Sequence, residues 1–236
     1  MFELIAFDAD DTLWENNALY LEVREQVRQL IAPYSDADLS DEAFDEIEVP
    51  NLKYYGYGVL SFTLSCIEFA IQHTSGRIPA SDIAKILDLG KGMIDTPLRL
   101  FEDAEPTLRQ IARRYPLVLV TKGDLNHQQS KVEQSGLGQF FRSVEIVPNK
   151  TRETYAAILE KQGCAPERFL MVGDSLRSDI LPVLELGASA VFVPNRDTWT
   201  HETVEDPQGH DGRFFKIAAL GLLPELLDRL EKYQIM

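Results

Sequence analysis

Three acidic side chains follow a short apolar run near the start of the chain. The run is Leu4–Phe7, and Asp8, Asp10 and Asp11 come directly after it. Such a run is typical of a strand buried on both faces, and open α/β sheets bind ligands at the carboxyl ends of their strands. Extended geometry directs Asp8 and Asp10 to the same side, where their charges repel each other. The pattern therefore indicates a site for a hard cation such as Mg²⁺, or else only a turn or a helix cap.

Chemically useful side chains also follow three later strand candidates. These strands are predicted at Leu117–Val120, Ser143–Val147 and Phe169–Val172. The residues after them are Thr121, Lys150, Asp174 and Asp179. Because all strands of a parallel sheet end at the same edge, we expect these side chains to converge with the first carboxylates. Carboxylates, a hydroxyl and an ammonium group are the parts that phosphoryl transfer requires.

Strands and helices alternate over most of the chain, which predicts βαβ units and an α/β fold with a parallel sheet. The intervening helices are predicted at Glu102–Tyr115, Leu125–Ser135, Glu153–Gln162 and Ser178–Leu186, with Ser178 as the cap of the last one. Ala188–Val193 is predicted as a last strand and Pro194–Arg213 as a long loop. Phe214–Tyr233 has apolar residues at helical spacing and is predicted as the closing helix.

The stretch 16–95 interrupts this alternation with helical patterns alone. The helices are predicted from Asn17 to Ala32, from Ser40 to a stop at Pro50, over Leu60–His73 and over Ser81–Ile94. Lys53–Val59 is rich in tyrosine and glycine and is predicted as a loop or a helix start.

The four strand ends resemble the motifs of the haloacid dehalogenase-like hydrolase superfamily. Its first motif, DxDxT, matches Asp8–Thr12, and the threonine or serine that ends its second core strand matches Thr121. Its lysine near a helix start matches Lys150, and its GDxxxxD motif matches Gly173–Asp179. All four occur in the required order, and the resemblance covers essentially the whole chain.

The resemblance implies both a fold and an activity. The fold is a Rossmann-like α/β core with five parallel strands in the order 5-4-1-2-3, plus an all-helical cap inserted between the first and second motifs. We therefore expect a core of residues 1–15 and 96–236 and a cap of residues 16–95. The implied activity is that of a Mg²⁺-dependent phosphatase acting on a small organic phosphomonoester.

The resemblance gives the first two aspartates different roles. Asp8 is expected to attack phosphorus, while Asp10 protonates the leaving oxygen and then deprotonates the hydrolytic water. For Asp10 to donate first, its surroundings have to raise its pKa. Mg²⁺ is expected on Asp8, Asp174 and the backbone carbonyl of Asp10. Asp179 either ligates the metal through water or orients Lys150.

Further groups are implied for the substrate. Phosphate-binding groups are expected at Thr121, Lys150 and the backbone near Ala9, Asp10 and Lys122. Lys150 would offset the charge of Asp8 and of the phosphoryl group. Family resemblance places specificity in the cap, where Tyr54, Tyr55 and Tyr57 are the candidates. These rings would otherwise only pack between helices.

Asp10 separates the alternatives within the family. Dehalogenating members lack an aspartate at this position because a departing halide needs no proton, so the sequence favours a phosphatase. Sugar phosphomutases share both aspartates and are an alternative. A phosphate-binding or regulatory module without turnover is a second alternative, from another class of protein.

The overall composition limits the partners. The 236 residues contain 38 acidic and 23 basic side chains, and the formal net charge of −15 argues against nucleic acid and anionic membranes as partners. We expect a small phosphorylated metabolite as the partner and a monomer or homodimer as the assembly. The sequence shows neither a signal-like segment nor an apolar run of bilayer length, so a cytoplasmic location is expected.

Two residue types have no assigned chemistry. Cys66 and Cys164 are expected to be buried free thiols. The four histidines are expected at the surface: His73, His127, His201 and His210. The last two fall in the predicted loop Pro194–Arg213, whose role the pattern leaves open.

Overall fold

A six-stranded parallel sheet forms the centre of the larger part of the protein. The computed structural model describes residues 2–195, 199–202, 204–205, 207 and 212–234. The strands are β1 Leu4–Phe7, β2 Leu117–Lys122, β3 Ser143–Val147, β4 Phe169–Gly173, β5 Ser189–Phe192 and β6 Phe214–Lys216. They are arranged in the order β3-β2-β1-β4-β5-β6, and every neighbouring pair is parallel. This is a Rossmann-like α/β fold, as predicted.

The predicted number of strands is wrong. The five expected strands have the expected order, but β6 extends the sheet beyond β5 by pairing Phe214 with Ala190 and Lys216 with Phe192. The prediction placed this segment in the last helix. The last helix begins only at Leu223. Ile217 and Leu220, which precede it, have the same helical spacing as its apolar residues, so the apolar pattern does not show where the helix begins.

The chain divides into two compact units. The first contains Met1–Asn17, Leu98–Lys122 and Gln128–Met236, and the second contains Ala18–Pro97 and Gly123–His127. The predicted core of residues 1–15 and 96–236 and the predicted helical cap of residues 16–95 stay predictions.

The apolar strand runs are explained by burial on both faces of the sheet. Ile5 and Phe7 of β1 belong to one hydrophobic layer, and Leu4 and Ala6 belong to the other. All four residues are completely buried. The helices that follow the strands are α5 Ala104–Ile111, α6 Leu125–Ser135, α7 Arg152–Gln162, α8 Leu181–Glu185 and α9 Leu223–Gln234. Strict alternation inside β1 therefore fixes which side chains face each layer.

The helix after β4 begins differently from the prediction. A π-helical turn, Leu176–Ile180, precedes α8, and its cap is Ser175 rather than Ser178. The Ser175 hydroxyl accepts a hydrogen bond from the Ser178 backbone N–H at 2.9 Å. This wide turn sets the direction of the side chains that follow β4.

Four helices make up most of the second unit. They are α1 Asn17–Ile31, α2 Asp41–Tyr55, α3 Val59–His73 and α4 Ala80–Asp95. Their shared core contains Phe44, Phe62 and Phe69. Ser40 caps α2 as predicted, but the helix continues through Pro50 to Tyr55. The proline removes one backbone donor, while Phe44, Glu48 and Asn51 keep one face of α2 buried along its length.

Several smaller predictions can be compared directly with the structure. Cys66 and Cys164 are buried free thiols, as expected. His73, His127 and His201 are partly buried rather than fully exposed, and His210 lies outside the described residues. No helix among the residues that the structure describes has the length and apolar character needed to cross a membrane.

Two glycines of α4 provide a matched test of helix packing. A Cβ atom at Gly90 would lie 2.2 Å from the Thr63 hydroxyl oxygen of α3, whereas one at Gly92 would meet nothing within 4 Å. We expect Gly90→Ala to lower the free energy of unfolding by about 1–3 kcal/mol, because α3 and α4 must move apart. Gly92→Ala should raise it by about 0.4–1 kcal/mol through lower chain entropy. Urea unfolding of both variants checks this, and equal effects would contradict the close contact.

Candidate active site

The loop after β1 is shaped by hydrogen bonds that fix the first acidic residues. The Asp8 backbone N–H donates to the Val172 carbonyl of β4 at 2.9 Å, so the end of β1 remains tied to the sheet. The chain then turns back, because Leu13 N–H donates to the Ala9 carbonyl at 2.8 Å. Asp11 sits in the left-handed region at φ 61°, and its carboxylate accepts from the backbone N–H of Asn17. Asp8 is thereby left at the strand end with 5% of its surface exposed.

A buried lysine joins two of the predicted aspartates. The Lys150 ammonium donates to one Asp8 carboxylate oxygen and, at 2.7 Å, to Asp179 Oδ1. Both aspartates and the lysine are almost completely buried. Asp174 completes the group, since ligand oxygens of Asp8, Asp174 and Asp179 all lie within 4.8 Å of one another. Four residues predicted from three separate strand ends are thus together.

Gly173 allows Asp179 to reach this position. A Cβ atom at Gly173 would lie 2.3 Å from Asp179 Oδ2, which is closer than real contacts allow. The same Asp179 oxygen accepts from the Ser175 backbone N–H at 3.1 Å. The glycine of the GDxxxxD motif is therefore needed for space rather than for an unusual backbone angle.

The charges of this group are unbalanced. Burial is the main cause that raises the pKa of Asp8 to about 6, with Asp179 adding to the effect and Lys150 opposing it. Burial, followed by repulsion from Asp8 and Asp179, holds the pKa of Asp174 well above its ordinary value. Three carboxylates share one ammonium group here. Because hard divalent cations prefer carboxylate oxygens and relieve such repulsion, these residues fit a Mg²⁺ ion.

Thr121 and Asp10 are linked through a residue that the sequence did not single out. Gln128 of α6 donates its amide to Thr121 Oγ1 at 2.6 Å and to Asp10 Oδ2 at 2.9 Å. Lys131, one turn further along the helix, donates to Asp10 Oδ1 at 2.6 Å. The sequence shows α6 only as a polar helix, because apolar periodicity does not reveal a buried glutamine or lysine.

The surroundings of Asp10 differ from the expectation. A proton donor needs a raised pKa, and burial alone would raise the pKa of Asp10. Attraction by Lys131 and hydrogen bonds from Lys131, Gln128 and Trp14 outweigh burial and lower the pKa of Asp10 below its ordinary value. These contacts therefore favour the ionised, proton-accepting form of Asp10.

Glu202, a described residue of the predicted loop Pro194–Arg213, is buried against the first unit's polar side chains. Glu202 accepts from the Lys122 ammonium at 2.6 Å and from the Ser178 hydroxyl at 2.6 Å. The backbone of Lys122 was predicted to bind phosphate. Its side chain forms an ion pair with Glu202. Ala9 is fully buried in the loop after β1.

The three tyrosines belong to the second unit. Tyr54 and Tyr55 end α2 with 72% and 53% of their surfaces exposed, and their ring centroids are 6.3 Å apart. Tyr57 follows between Gly56 and Gly58, which both have positive φ. A role of these rings in substrate contact stays a prediction.

Comparisons with known proteins agree with this geometry. The haloacid dehalogenase-like hydrolase family model matches residues 2–187. A haloacid dehalogenase-like family hydrolase from Xanthomonas campestris is 32% identical, with a TM-score of 0.87, and covers 98% of this chain and 97% of its own. This chain therefore belongs to the haloacid dehalogenase-like hydrolases, and the resemblance inferred from the motifs is confirmed.

Curated relatives carry more specific names. N-acylneuraminate-9-phosphatase from Rattus norvegicus is 24% identical over 96% of this chain and 94% of the relative. Glyceraldehyde 3-phosphate phosphatase from Methanothermobacter thermautotrophicus is 25% identical over 89% of this chain and 94% of the relative. Both proteins are named as phosphatases and align over most of their length.

Gly173→Ala is expected to disturb the site while leaving the sheet intact. The new methyl group must displace the Asp179 carboxylate, which removes one partner of Lys150. We expect a loss of about 2–4 kcal/mol in the free energy of unfolding, as for a broken buried polar contact with overpacking. Gly138→Ala is the control, since its Cβ atom would meet only an ordinary contact at 3.4 Å. Denaturant unfolding that ranks the two variants equally would contradict this role of Gly173.

Removing the Lys150 charge should cost far more stability than removing an exposed charge. Lys150→Met leaves Asp8 and Asp179 buried without their cation, so we expect a loss of about 3–5 kcal/mol. Lys161→Met breaks a pair with Glu145 whose lysine is 62% exposed, and should cost at most about 1 kcal/mol. Chemical denaturation in the presence of EDTA measures both. Similar losses for the two variants would mean that the buried group does not depend on Lys150.

Proposed function

We propose that this protein is a Mg²⁺-dependent phosphatase that hydrolyses a small organic phosphomonoester through an aspartyl-phosphate formed on Asp8. The buried group of Asp8, Lys150, Asp174 and Asp179 carries the proposal, because it combines a nucleophile, a fixed cation and a metal-ligating set at one edge of the sheet. The phosphatase names of the curated relatives support the same reaction.

Asp8 is the nucleophile in this proposal. Its carboxylate oxygen attacks phosphorus, a new O–P bond forms, and the bond from phosphorus to the alcohol oxygen breaks. Asp10 gives a proton to the leaving oxygen and afterwards takes one from a water molecule. That water attacks phosphorus, the bond to Asp8 breaks, and inorganic phosphate leaves. Because its neighbours favour the ionised form of Asp10, the proton that Asp10 donates comes from solvent or from a singly protonated phosphate ester, and Asp10 takes it up before the leaving oxygen departs.

The other residues hold these groups and neutralise charge. Lys150 keeps one Asp8 oxygen fixed and offsets negative charge on the phosphoryl group. Asp179 orients Lys150, since one of its oxygens binds this ammonium and the other the Ser175 N–H. Asp8, Asp174 and the Asp10 carbonyl would hold Mg²⁺, which would neutralise negative charge on the phosphoryl oxygens.

The phosphate and the rest of the substrate are assigned to different regions. Phosphate oxygens bind Thr121, Lys150 and the backbone near Ala9, Asp10 and Lys122. Tyr54, Tyr55 and Tyr57 contact the organic part of the substrate. We propose a phosphorylated sugar or sugar acid as the substrate class, in line with the compounds in the relatives' names. Nucleic acid and membranes are not proposed as partners because of the net charge of −15, and a monomer or homodimer is proposed as the assembly.

The reaction is tested with p-nitrophenyl phosphate and a panel of phosphorylated sugars. We expect turnover with Mg²⁺, loss of turnover with EDTA, recovery on adding Mg²⁺ back, and a loss of at least about 10³-fold in kcat for Asp8→Asn. Asp228→Asn, an acid 52% exposed on α9, is the control and should keep full activity.

Activity that survived both EDTA and Asp8→Asn would overturn the proposed mechanism. Transfer of the phosphoryl group back to the sugar, instead of release of inorganic phosphate, would identify a phosphomutase. Binding of phosphate without turnover of any ester in the panel would identify a non-catalytic module.

A further inference from the structure

Helix α6 presents two buried polar side chains to the end of β1. Gln128 and Lys131 are three positions apart, which places them on the same face of the helix. They are 3% and 6% exposed. A lysine is almost never this deeply buried without a partner, and its partner here is Asp10.

Gln128, Lys131 and Trp14 together donate hydrogen bonds to both carboxylate oxygens of Asp10. Oδ1 accepts from the Lys131 ammonium at 2.6 Å and from the Trp14 indole N–H at 2.6 Å, while Oδ2 accepts from the Gln128 amide at 2.9 Å. Lys131 is held in turn by Asn16 Oδ1 at 2.9 Å. The direction of the Asp10 carboxylate is therefore fixed by donors that are themselves fixed.

The hydrogen-bond acceptors around the Gln128 side chain determine which way its amide group points. Its nitrogen faces the Asp10 carboxylate and the Lys122 carbonyl, the latter at 2.9 Å. Reversing the amide would point an oxygen at both of these acceptors. In this orientation the Gln128 carbonyl oxygen is buried and has no hydrogen-bond partner among the described residues. An unpaired buried acceptor is costly, so Gln128 is placed for its contacts to Asp10 and Thr121 at the expense of stability.

We infer that Gln128 and Lys131 are positioning residues that aim the Asp10 carboxyl for both proton transfers. This inference rests on the proposed phosphatase reaction. The simpler interpretation is that the two residues only anchor α6 to the sheet. The two interpretations differ in which chemical step a substitution slows, because only the first one acts through proton transfer.

Substrates whose leaving groups differ in basicity distinguish a defect in proton transfer from a general loss of activity. Nitrophenolate departs from phosphorus without a proton, whereas phenolate is much the stronger base and needs one. With aryl phosphates of nearly equal shape, kcat/KM reports transfer of the phosphoryl group to Asp8. A burst of nitrophenol reports slow hydrolysis of the aspartyl-phosphate, which requires Asp10 as the base.

The variants are Lys131→Met, Gln128→Met and Lys131→Arg. For Lys131→Met we expect kcat/KM to fall about 10²-fold or more with phenyl phosphate and less than about tenfold with p-nitrophenyl phosphate, because the lost direction of the Asp10 carboxyl outweighs its easier protonation without the ammonium group. A burst of nitrophenol should appear in the same variant. Gln128→Met should change the ratio in the same direction, and Lys131→Arg should restore most of the phenyl phosphate activity. Gln134→Met, an exposed position on α6, is the matched control and should leave both substrates unchanged.

Equal losses with both substrates and no burst, in an otherwise active enzyme, would overturn the positioning role and leave the proposed function standing. A wild-type enzyme that hydrolyses neither ester nor any other in the panel would overturn the proposed function and this inference together. Thermal unfolding of each variant checks folding. If Lys131→Met does not fold, the Gln128→Met and Lys131→Arg comparisons decide between the two interpretations.

Discussion

The ammonium group of Lys150, buried between Asp8 and Asp179, is the interaction on which the rest of the site depends. Burying three carboxylates near one another is unfavourable because each loses water and repels the others. Lys150 offsets part of this cost, and it can do so only because the sheet brings residues 142 positions apart in sequence within hydrogen-bond distance. The excess of negative charge that remains is what makes the group suitable for a divalent cation.

The parallel sheet converts distance in sequence into proximity in space. Strands β1 to β4 each contribute one or two polar residues at or after their carboxyl ends, and the apolar residues of β1, β2 and β4 are buried in two layers. This arrangement keeps the polar groups at one edge, at or just beyond the last residues of the strands. The position of Asp8 is fixed further by the backbone hydrogen bond to Val172. The first aspartate is therefore attached directly to the centre of the sheet.

Most of the fold and the central group of the site could be predicted from the sequence. The runs at Leu4–Phe7 and Phe169–Val172 are unambiguous because strands buried on both faces are continuously apolar. β6 could not be predicted, since Phe214 and Phe215 fit both a strand and the helical spacing that follows. The continuation of α2 beyond Pro50 depends on tertiary packing, which outweighs the local preference of proline. The contacts of Gln128, Lys131 and Glu202 were missed because a buried polar residue has no periodic signature.

The expectation for Asp10 shows a different limit. A motif identifies a residue type at a position, but its protonation state depends on neighbours that the motif does not contain. Here those neighbours are Trp14, Gln128 and Lys131, and they stabilise the ionised form. Two proteins that share the same aspartate pair can therefore begin the reaction from different protonation states.

The π-helical turn Leu176–Ile180 has a consequence for how this region can change in evolution. Two successive backbone N–H groups, those of Asp179 and Ile180, donate to the Ser175 carbonyl, so the turn is wider than an ordinary helical one. Loss or gain of one residue between Asp174 and Asp179 would rotate the second carboxylate by about 100° around the helix axis, away from Lys150. A substitution of the exposed Arg177 leaves the spacing of the two aspartates unchanged, whereas an in-frame codon insertion or deletion between them does not.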